Sequence, residues 1–297
     1  MTGWLFILIG CPVILSLSKD GLMKIVDTHC HLHREEFDPD REEVLHRARE
    51  AGVSVLIDPA TNLASNYSVV SEARSYPDVY AAVGIHPHDA AELTGRALEE
   101  LKTLASRPKV VAVGEIGLDY YRNLCPRSVQ HKALRELFNL AESLKLPVII
   151  HCRGEGAGNA SAGEGGEVFL DLFALVRECL CLPAKGLLHC FSGDLDSALE
   201  ALELGFTLSF AGNLTFTKAE ALRKVARQVP FDRVVLETDA PFLAPQSYRG
   251  KRNEPAYLIE LVRTWADLRG LTMEDVAQET AANTFRLFGI QQGISTD

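Results

Sequence analysis

Eight short runs rich in Val, Ile and Leu recur between residues 24 and 240, and their number and spacing restrict the fold more than any other feature. They are KIVDTH (24–29), VSVLIDPA (53–60), VYAAVGIHP (79–87), VVAVGEIG (110–117), LPVIIHC (146–152), GLLHCF (186–191), FTLSFAG (206–212) and RVVLETDA (233–240). Near-continuous apolar runs of this length suit strands of a parallel sheet buried on both faces. Helical patterns occupy the gaps. Residues 41–51 space Val44, Leu45 and Ala48 among charges and stop at Gly52. Residues 130–144 set Leu134, Leu137, Phe138 and Ala141 on one side, and similar segments run over 194–204, 217–228 and 255–268. The segment 272–288 opens on a Thr N-cap with acidic residues in its first turn. Eight strands alternating with helices predict a single-domain α/β protein, a (β/α)8 TIM barrel. The main rival, a doubly wound open sheet, needs a phosphate-binding glycine loop after its first strand; this chain has Cys30-His31-Leu32-His33 there.

Composition narrows the class further. A hydrophobic share of 47% supports a large core, and 30 basic against 40 acidic residues leave a net charge of −10. That balance repels polyanions at long range and argues against strong non-specific duplex binding, although bound cations could still hold a phosphate. The seven cysteines (Cys11, Cys30, Cys125, Cys152, Cys179, Cys181 and Cys190) form neither a dense disulfide framework nor CxxC pairs, so reduced thiols in the cytoplasm are expected. Residues 4–17 are apolar but short for a membrane span, with no basic stretch before them and no cleavage signal after them. Residues 1–22 are therefore read as an extension outside the fold, 23–290 as the barrel and 291–297 as a tail. Gly154 to Gly166 (GEGAGNASAGEGG) reads as a flexible insert after the fifth strand.

Barrel enzymes carry their chemistry at the C-terminal ends of the strands, which makes those ends informative. Strand one ends Asp27-Thr28-His29-Cys30-His31, strand three Gly84-Ile85-His86-Pro87-His88, and strand four Gly114-Glu115-Ile116-Gly117-Leu118-Asp119. Strands five, six and eight end at His151, at His189, and at Glu237-Thr238-Asp239. Each feature has an ordinary reading alone. An HxH pair can be a polar strand end, Glu115 a buried ion pair with an Arg, His151 and His189 hydrogen-bonded core residues, and Asp239 a turn cap. Converging on one mouth, four histidines and two carboxylates are metal ligands instead. His29 and His31, two apart in an extended segment, project to the same side. Six ligands exceed the three protein ligands of a mononuclear catalytic zinc and suit two ions sharing a carboxylate. Two divalent ions against two carboxylates leave a positive mouth that fits an anionic substrate, a phosphodiester or a carboxylate.

In these ends the chain resembles the TatD family of metal-dependent deoxyribonucleases, within the wider amidohydrolase-like barrels. The matching segments are DTHCHL (27–32), GIHPHD (84–89), GEIGLDYY (114–121), PVIIHCR (147–153), HCFSG (189–193), ETDAPFLAP (237–245) and RGKRNEP (249–255). The resemblance implies one metal on His29, His31, Glu115 and Asp239 and a second on Glu115, His151 and His189. These would be two divalent ions drawn from Zn, Mg, Mn, Ni or Fe. It also implies hydrolysis of DNA phosphodiesters by a metal-bound hydroxide, from single-stranded 3′ ends, with Glu115 and Asp239 as catalytic residues. His86, Arg153 and Arg249 are the implied substrate contacts, and no membrane partner is expected. One departure lies after His151: many relatives continue His-x-Arg-Asp, whereas this chain has Arg153-Gly154-Glu155 and then the insert. The alternative on the same barrel is hydrolysis of an ester, lactone or amide, including an aminoacyl-tRNA ester. Against one such group, phosphotriesterase-like hydrolases tend to bridge their metals with a modified Lys, where this chain has Glu115. A third reading is a non-catalytic scaffold, which retention of all six ligands argues against.

The chain expressed from its native locus is expected to begin at Met23, before the first strand. N-terminal sequencing checks this, and a mature terminus at Met1 would overturn it.

Overall fold

The computed structural model describes residues 23–154 and 166–291. Eight parallel strands follow one another in chain order around a nearly closed barrel. They are β1 (Ile25–Asp27), β2 (Val53–Pro59), β3 (Val79–Val83), β4 (Val110–Asp119), β5 (Val148–Arg153), β6 (Gly186–Leu188), β7 (Thr207–Phe210) and β8 (Val234–Leu236). The predicted TIM barrel is the observed fold. Around it lie α1 (Arg41–Glu50), α2 (Leu63–Ser75), α3 (Gly95–Ala105), α4 (Arg127–Leu144), α5 (Gly166–Cys179), α6 (Leu195–Glu203), α7 (Glu220–Gln228), α8 (Leu258–Arg269) and α9 (Met273–Phe288). None of these helices is long and apolar enough to cross a membrane.

The period of two along each strand sorts its side chains into two cores. Ile25, Leu56, Val83, Ile150, Leu188 and Leu236 join the layer between sheet and helices, with Leu45, Phe138 and Trp265. Val26, Ile57, Ala82, Ile149, Leu187 and Val235 form the second cluster, inside the barrel, where α9 contributes Ala281 and Phe288. The parity that puts Ile149, Leu187 and Val235 inside carries on two residues further, to His151, His189 and Glu237. The site is thus the polar continuation of the interior.

Between β8 and β1 the barrel is joined by backbone bonds just past the strand ends. Thr28 N donates to Leu236 O (3.2 Å), Asp239 N to His29 O (2.8 Å) and His31 N to Ala240 O (2.8 Å). Asp27 fixes the same seam, its carboxylate accepting from Thr238 N (2.9 Å) and Thr238 Oγ1 (2.6 Å). Simple alternation along VDTHCHLH would set Asp27 on the histidine face. The strand instead ends at Asp27 and bends at Thr28.

The structure also differs from the sequence pattern in its helices. The pattern did not delineate α2, α3 or α5. The buried positions of α2 include Ser65 and Asn66, and its start is set by a reciprocal cap between Asn62 and Ser65 rather than by an apolar stripe. Gly166 begins α5, so the predicted insert is shorter by that residue; 155–165, like 1–22 and 292–297, lie outside the described residues. A 3-10 turn over Pro255–Tyr257 precedes α8, which starts at Leu258.

A half-buried carboxylate on α2, Glu72, gives the fold a pH dependence. Arg41 Nε lies 3.4 Å from Glu72 Oε1, but burial and then the neighbouring Asp58 carboxylate push the Glu72 carboxyl well above the usual range. Folded protein therefore keeps a proton that the unfolded chain releases above the ordinary carboxylate pKa, so this residue lowers stability as pH rises through neutrality. Glu72→Gln keeps the neutral shape and should raise Tm at pH 8 by about 2–4 °C, and by less at pH 5. Thermal unfolding followed by circular dichroism reads the difference; an equal gain at both pH values would overturn the assignment.

Candidate metal centre

The four histidines and two carboxylates singled out in the sequence come together at the C-terminal mouth of the barrel. The two rings of the HxH pair converge, with His29 Nε2 and His31 Nε2 3.2 Å apart. Glu115 Oε2 lies 3.5 Å from His29 Nε2 and 3.6 Å from His31 Nε2, and Asp239 Oδ1 lies 3.8 and 3.5 Å from the same atoms. Four ligands at bond lengths of about 2.1 Å stand about 3.4 Å apart at the corners of a tetrahedron. The five separations, from 3.2 to 3.8 Å, bracket that edge, so these atoms can hold one divalent ion.

The other oxygen of Glu115 faces a second set. Oε1 lies 3.0 Å from His151 Nδ1 and 3.0 Å from His189 Nε2, and those two nitrogens are 3.4 Å apart. His86 Nε2 approaches the same oxygen at 3.6 Å. Glu115 is 2% exposed, so its charge is shielded from water and shared between the two sets.

Further groups hold the imidazoles in place. Asp119, fully buried, lies with Oδ2 3.0 Å from His151 Nε2 and 2.9 Å from His88 Nε2. Its Oδ1 accepts from Arg122 N, and its own N–H donates to Gln130 Oε1. Glu237 Oε1 lies 3.0 Å from His189 Nδ1 and accepts from Cys190 N at 2.7 Å. His31 Nδ1 meets Pro59 O at 3.2 Å. These partners fix the rings of His151, His189 and His31 and leave the other nitrogen of each for the centre, whereas His29 Nδ1 is buried without a hydrogen-bond partner among the described residues.

The backbone is shaped for these contacts. Gly117 lies between Glu115 and Asp119 with φ +148°, and a Cβ there would collide with the His151 carbonyl oxygen. Asp239 (φ 56°) and Cys190 (φ 44°) adopt left-handed conformations unusual for residues with a Cβ, and both lie beside ligand positions, where such strain concentrates.

Charge in this pocket is strongly coupled. Burial would raise the carboxyl of Glu115, but His189, His86 and His29 hold it well below the usual range. Asp239 behaves likewise, lowered by His31, His189 and His29 against the effect of burial. His86 is pushed well below its ordinary pKa by burial, so its ring is neutral near pH 7. Burial works against protonated His189, yet Glu115 and Glu237 raise it well above the ordinary value. An ion would take that proton's place between the carboxylates.

Around the cluster opens a cavity of about 750 Å3, lined also by His86, Arg34, Arg122, Arg153 and Phe242. His86 and Arg153 are therefore where the sequence reading put them, at the mouth. Arg249 does not line the cavity: it is exposed, its guanidinium 4.1 Å above the Phe216 ring. Arg252 of the same basic loop is paired with Asp40 at 2.7 Å. Sequence reasoning gave no role to Asp119 or His88. The available signal was the i, i+2, i+4 series Glu115, Gly117, Asp119 on one strand and the second HxH at His86 and His88. His33, left out of the site, bonds Asp58 at 2.6 Å.

Asp119→Asn keeps the shape but removes the charge that holds His151. It is expected to weaken Mn2+ or Zn2+ affinity by about 10–100-fold without changing the fold. Isothermal titration reads the affinity and circular dichroism the fold; unchanged affinity would show that Asp119 does not hold the ligand in place.

Known proteins share both the chain and its fold. The model of the family described as TatD related DNase matches residues 26–289. The uncharacterized metal-dependent hydrolase YabD of Bacillus subtilis (strain 168) is 36% identical over 266 residues, covering 90% of this chain and 99% of the relative. The protein named 3′-5′ ssDNA/RNA exonuclease TatD of Erwinia tasmaniensis is 36% identical over 273 residues, covering 89% and 99%. The crystal structure of YJJV, a TatD homolog from Escherichia coli K12, superposes with a TM-score of 0.78 at 31% identity, over 90% of this chain and 98% of that one. With the family model spanning nearly the whole barrel, the chain belongs to the TatD family of metal-dependent hydrolases.

Proposed function

We propose that the barrel, residues 23–290, is a two-metal phosphodiesterase that removes nucleotides from the 3′ end of single-stranded DNA in the cytoplasm. The observation that carries this reading is the division of Glu115: one oxygen faces His29 and His31, the other His151 and His189. A carboxylate shared in this way suits paired ions, and paired ions suit displacement at phosphorus. When bound, they would supply Lewis acidity and lower the pKa of water. The nuclease name of the Erwinia relative supports a nucleic-acid substrate.

The chain's own groups then have separable tasks. Asp239, ionised and directed into the cavity, orients the attacking water and receives its proton on the carboxylate. Neutral His86 can hydrogen-bond a non-bridging phosphate oxygen beside Glu115. Arg153 has no carboxylate partner among the described residues, so its guanidinium is available to the phosphate. Asp119 and Glu237 keep the rings of His151 and His189 from turning.

The test is release of mononucleotides from 3′- and 5′-labelled single-stranded DNA by protein loaded with Mg2+, Mn2+ or Zn2+. Asp239→Ala is expected to lower kcat by about 10²–10⁴-fold, His151→Ala to lower it with weakened metal binding, and EDTA to stop the reaction. No nucleotide release with any of the three metals would remove the nuclease reading. Hydrolysis of an aminoacyl ester or a lactone in its place would reassign the centre to acyl substrates.

A further inference from the structure

Three large aromatic side chains are exposed among the described residues: Tyr67, Tyr121 and Phe242. Tyr67 donates its hydroxyl to Glu100 on the outer surface. The other two stand at the barrel mouth, and each carries an arginine on one face. Arg34 Cζ lies 5.1 Å from the Phe242 ring centroid, and Arg153 Cζ lies 4.1 Å from that of Tyr121. Phe242 is 43% exposed and Tyr121 46% exposed, so each ring leaves surface open to solvent. Arg34, Arg153 and Phe242 all line the metal-centre cavity.

Strand order fixes where these two stacks stand. Phe242 follows β8 and Arg34 follows β1, neighbours across the barrel seam; Tyr121 follows β4 and Arg153 ends β5. In an eight-stranded ring running β1 to β8 in order, the β8–β1 and β4–β5 positions are opposite each other. The two arginine–aromatic stacks therefore face one another across the mouth, with Glu115 and Asp239 between them. Each pair joins a part-exposed aromatic ring to a cation, the combination that binds unpaired bases and their phosphates without sequence preference. The chain as a whole carries −10, so its net charge gives a polyanion no long-range attraction.

We infer that Phe242 and Tyr121 are two base-stacking platforms that carry a single nucleic-acid strand across the mouth, one base on each ring and the scissile phosphate between. The inference rests on the phosphodiesterase reading and adds to it the two residues that would hold the unpaired bases on either side of the cut. A duplex end cannot offer both bases without unpairing, so strandedness is selected by the rim. Arg34, bonded to Glu36 at 3.0 Å, braces Phe242, whereas Arg153 braces Tyr121 and remains free to meet phosphate.

A cycle of protein and substrate changes tests this. Steady-state KM is measured on oligothymidine and on the same oligomer with an abasic site at the terminal or the penultimate 3′ nucleotide. Dissociation constants come from anisotropy of a labelled phosphorothioate oligothymidine. Phe242→Ala and Tyr121→Ala should each raise KM and Kd by about tenfold. Each should lose that effect, to within about twofold, when the abasic site removes the base its ring holds. Phe242→Trp and Tyr121→Trp should restore tight binding. Unchanged KM and Kd in both alanine variants, or equal losses on intact and abasic strands, would overturn the platforms even with an active nuclease. Absence of cleavage by the parent protein would instead overturn the phosphodiesterase reading, and the anisotropy arm would still decide the stacking.

Discussion

Closure of the barrel between β8 and β1 is the constraint on which the site depends. His29 and Asp239 are more than two hundred positions apart in the chain, yet the bond from Asp239 N to His29 O places them side by side. Asp27 locks that join by accepting both polar hydrogens of Thr238. Burial is nevertheless costly to it, raising its carboxyl to about 7 despite those bonds. A fold that meets this cost at its seam gains a ligand set that exists only when every strand is in place. Metal binding at these candidate ligands would therefore be linked to completion of the fold, since a ligand held by the native state alone stabilises that state by mass action.

Parallel strands place all eight C-terminal ends on one rim, and period-two alternation decides what faces inward there. The same alternation that packs Ile149, Leu187 and Val235 inside the barrel delivers His151, His189 and Glu237 one step later. Apolar layers below exclude water, which strengthens each charge interaction above them. Glu115 illustrates the balance: buried alone, a carboxylate would stay protonated, but ringed by histidines it stays ionised. The outcome is one anion able to serve two sets of ligand atoms, a geometry that no single short motif encodes.

The strands, and the convergence of the candidate ligands at their ends, are legible because both rest on local pattern. A run such as VVAVGEIG announces a buried strand, and its final acid stands out because a carboxylate there needs partners. Less legible were features set by three-dimensional neighbours. The start of α2 rests on a cap between Asn62 and Ser65 and its buried face on small polar residues, which weakens an apolar signature. Asp119 looked like an ordinary strand-end acid until His88 and His151 appeared beside it. Arg249 lies in a basic loop, a pattern that suggests phosphate, but stacking on Phe216 and the pairing of Arg252 with Asp40 direct that loop elsewhere. Net charge along a segment cannot reveal which cations are already paired.

That distinction bears on how an acidic protein can act on a polyanion. A net charge of −10 gives a polyanion no long-range attraction to the chain as a whole. For the proposed substrate, affinity would then be local: metal and a few arginines for one phosphate, and stacked rings for the bases on either side. Stacking is insensitive to sequence and far less dependent on salt than phosphate contacts. With Phe242 beyond β8 and Tyr121 beyond β4, the barrel's circular order turns two distant segments into opposite walls of one mouth. If the two rings hold bases as proposed, such a mouth would suit an unpaired end better than a paired helix. On the stacking proposal, strand selectivity would come from the rim, while the centre below would attend only to the phosphodiester.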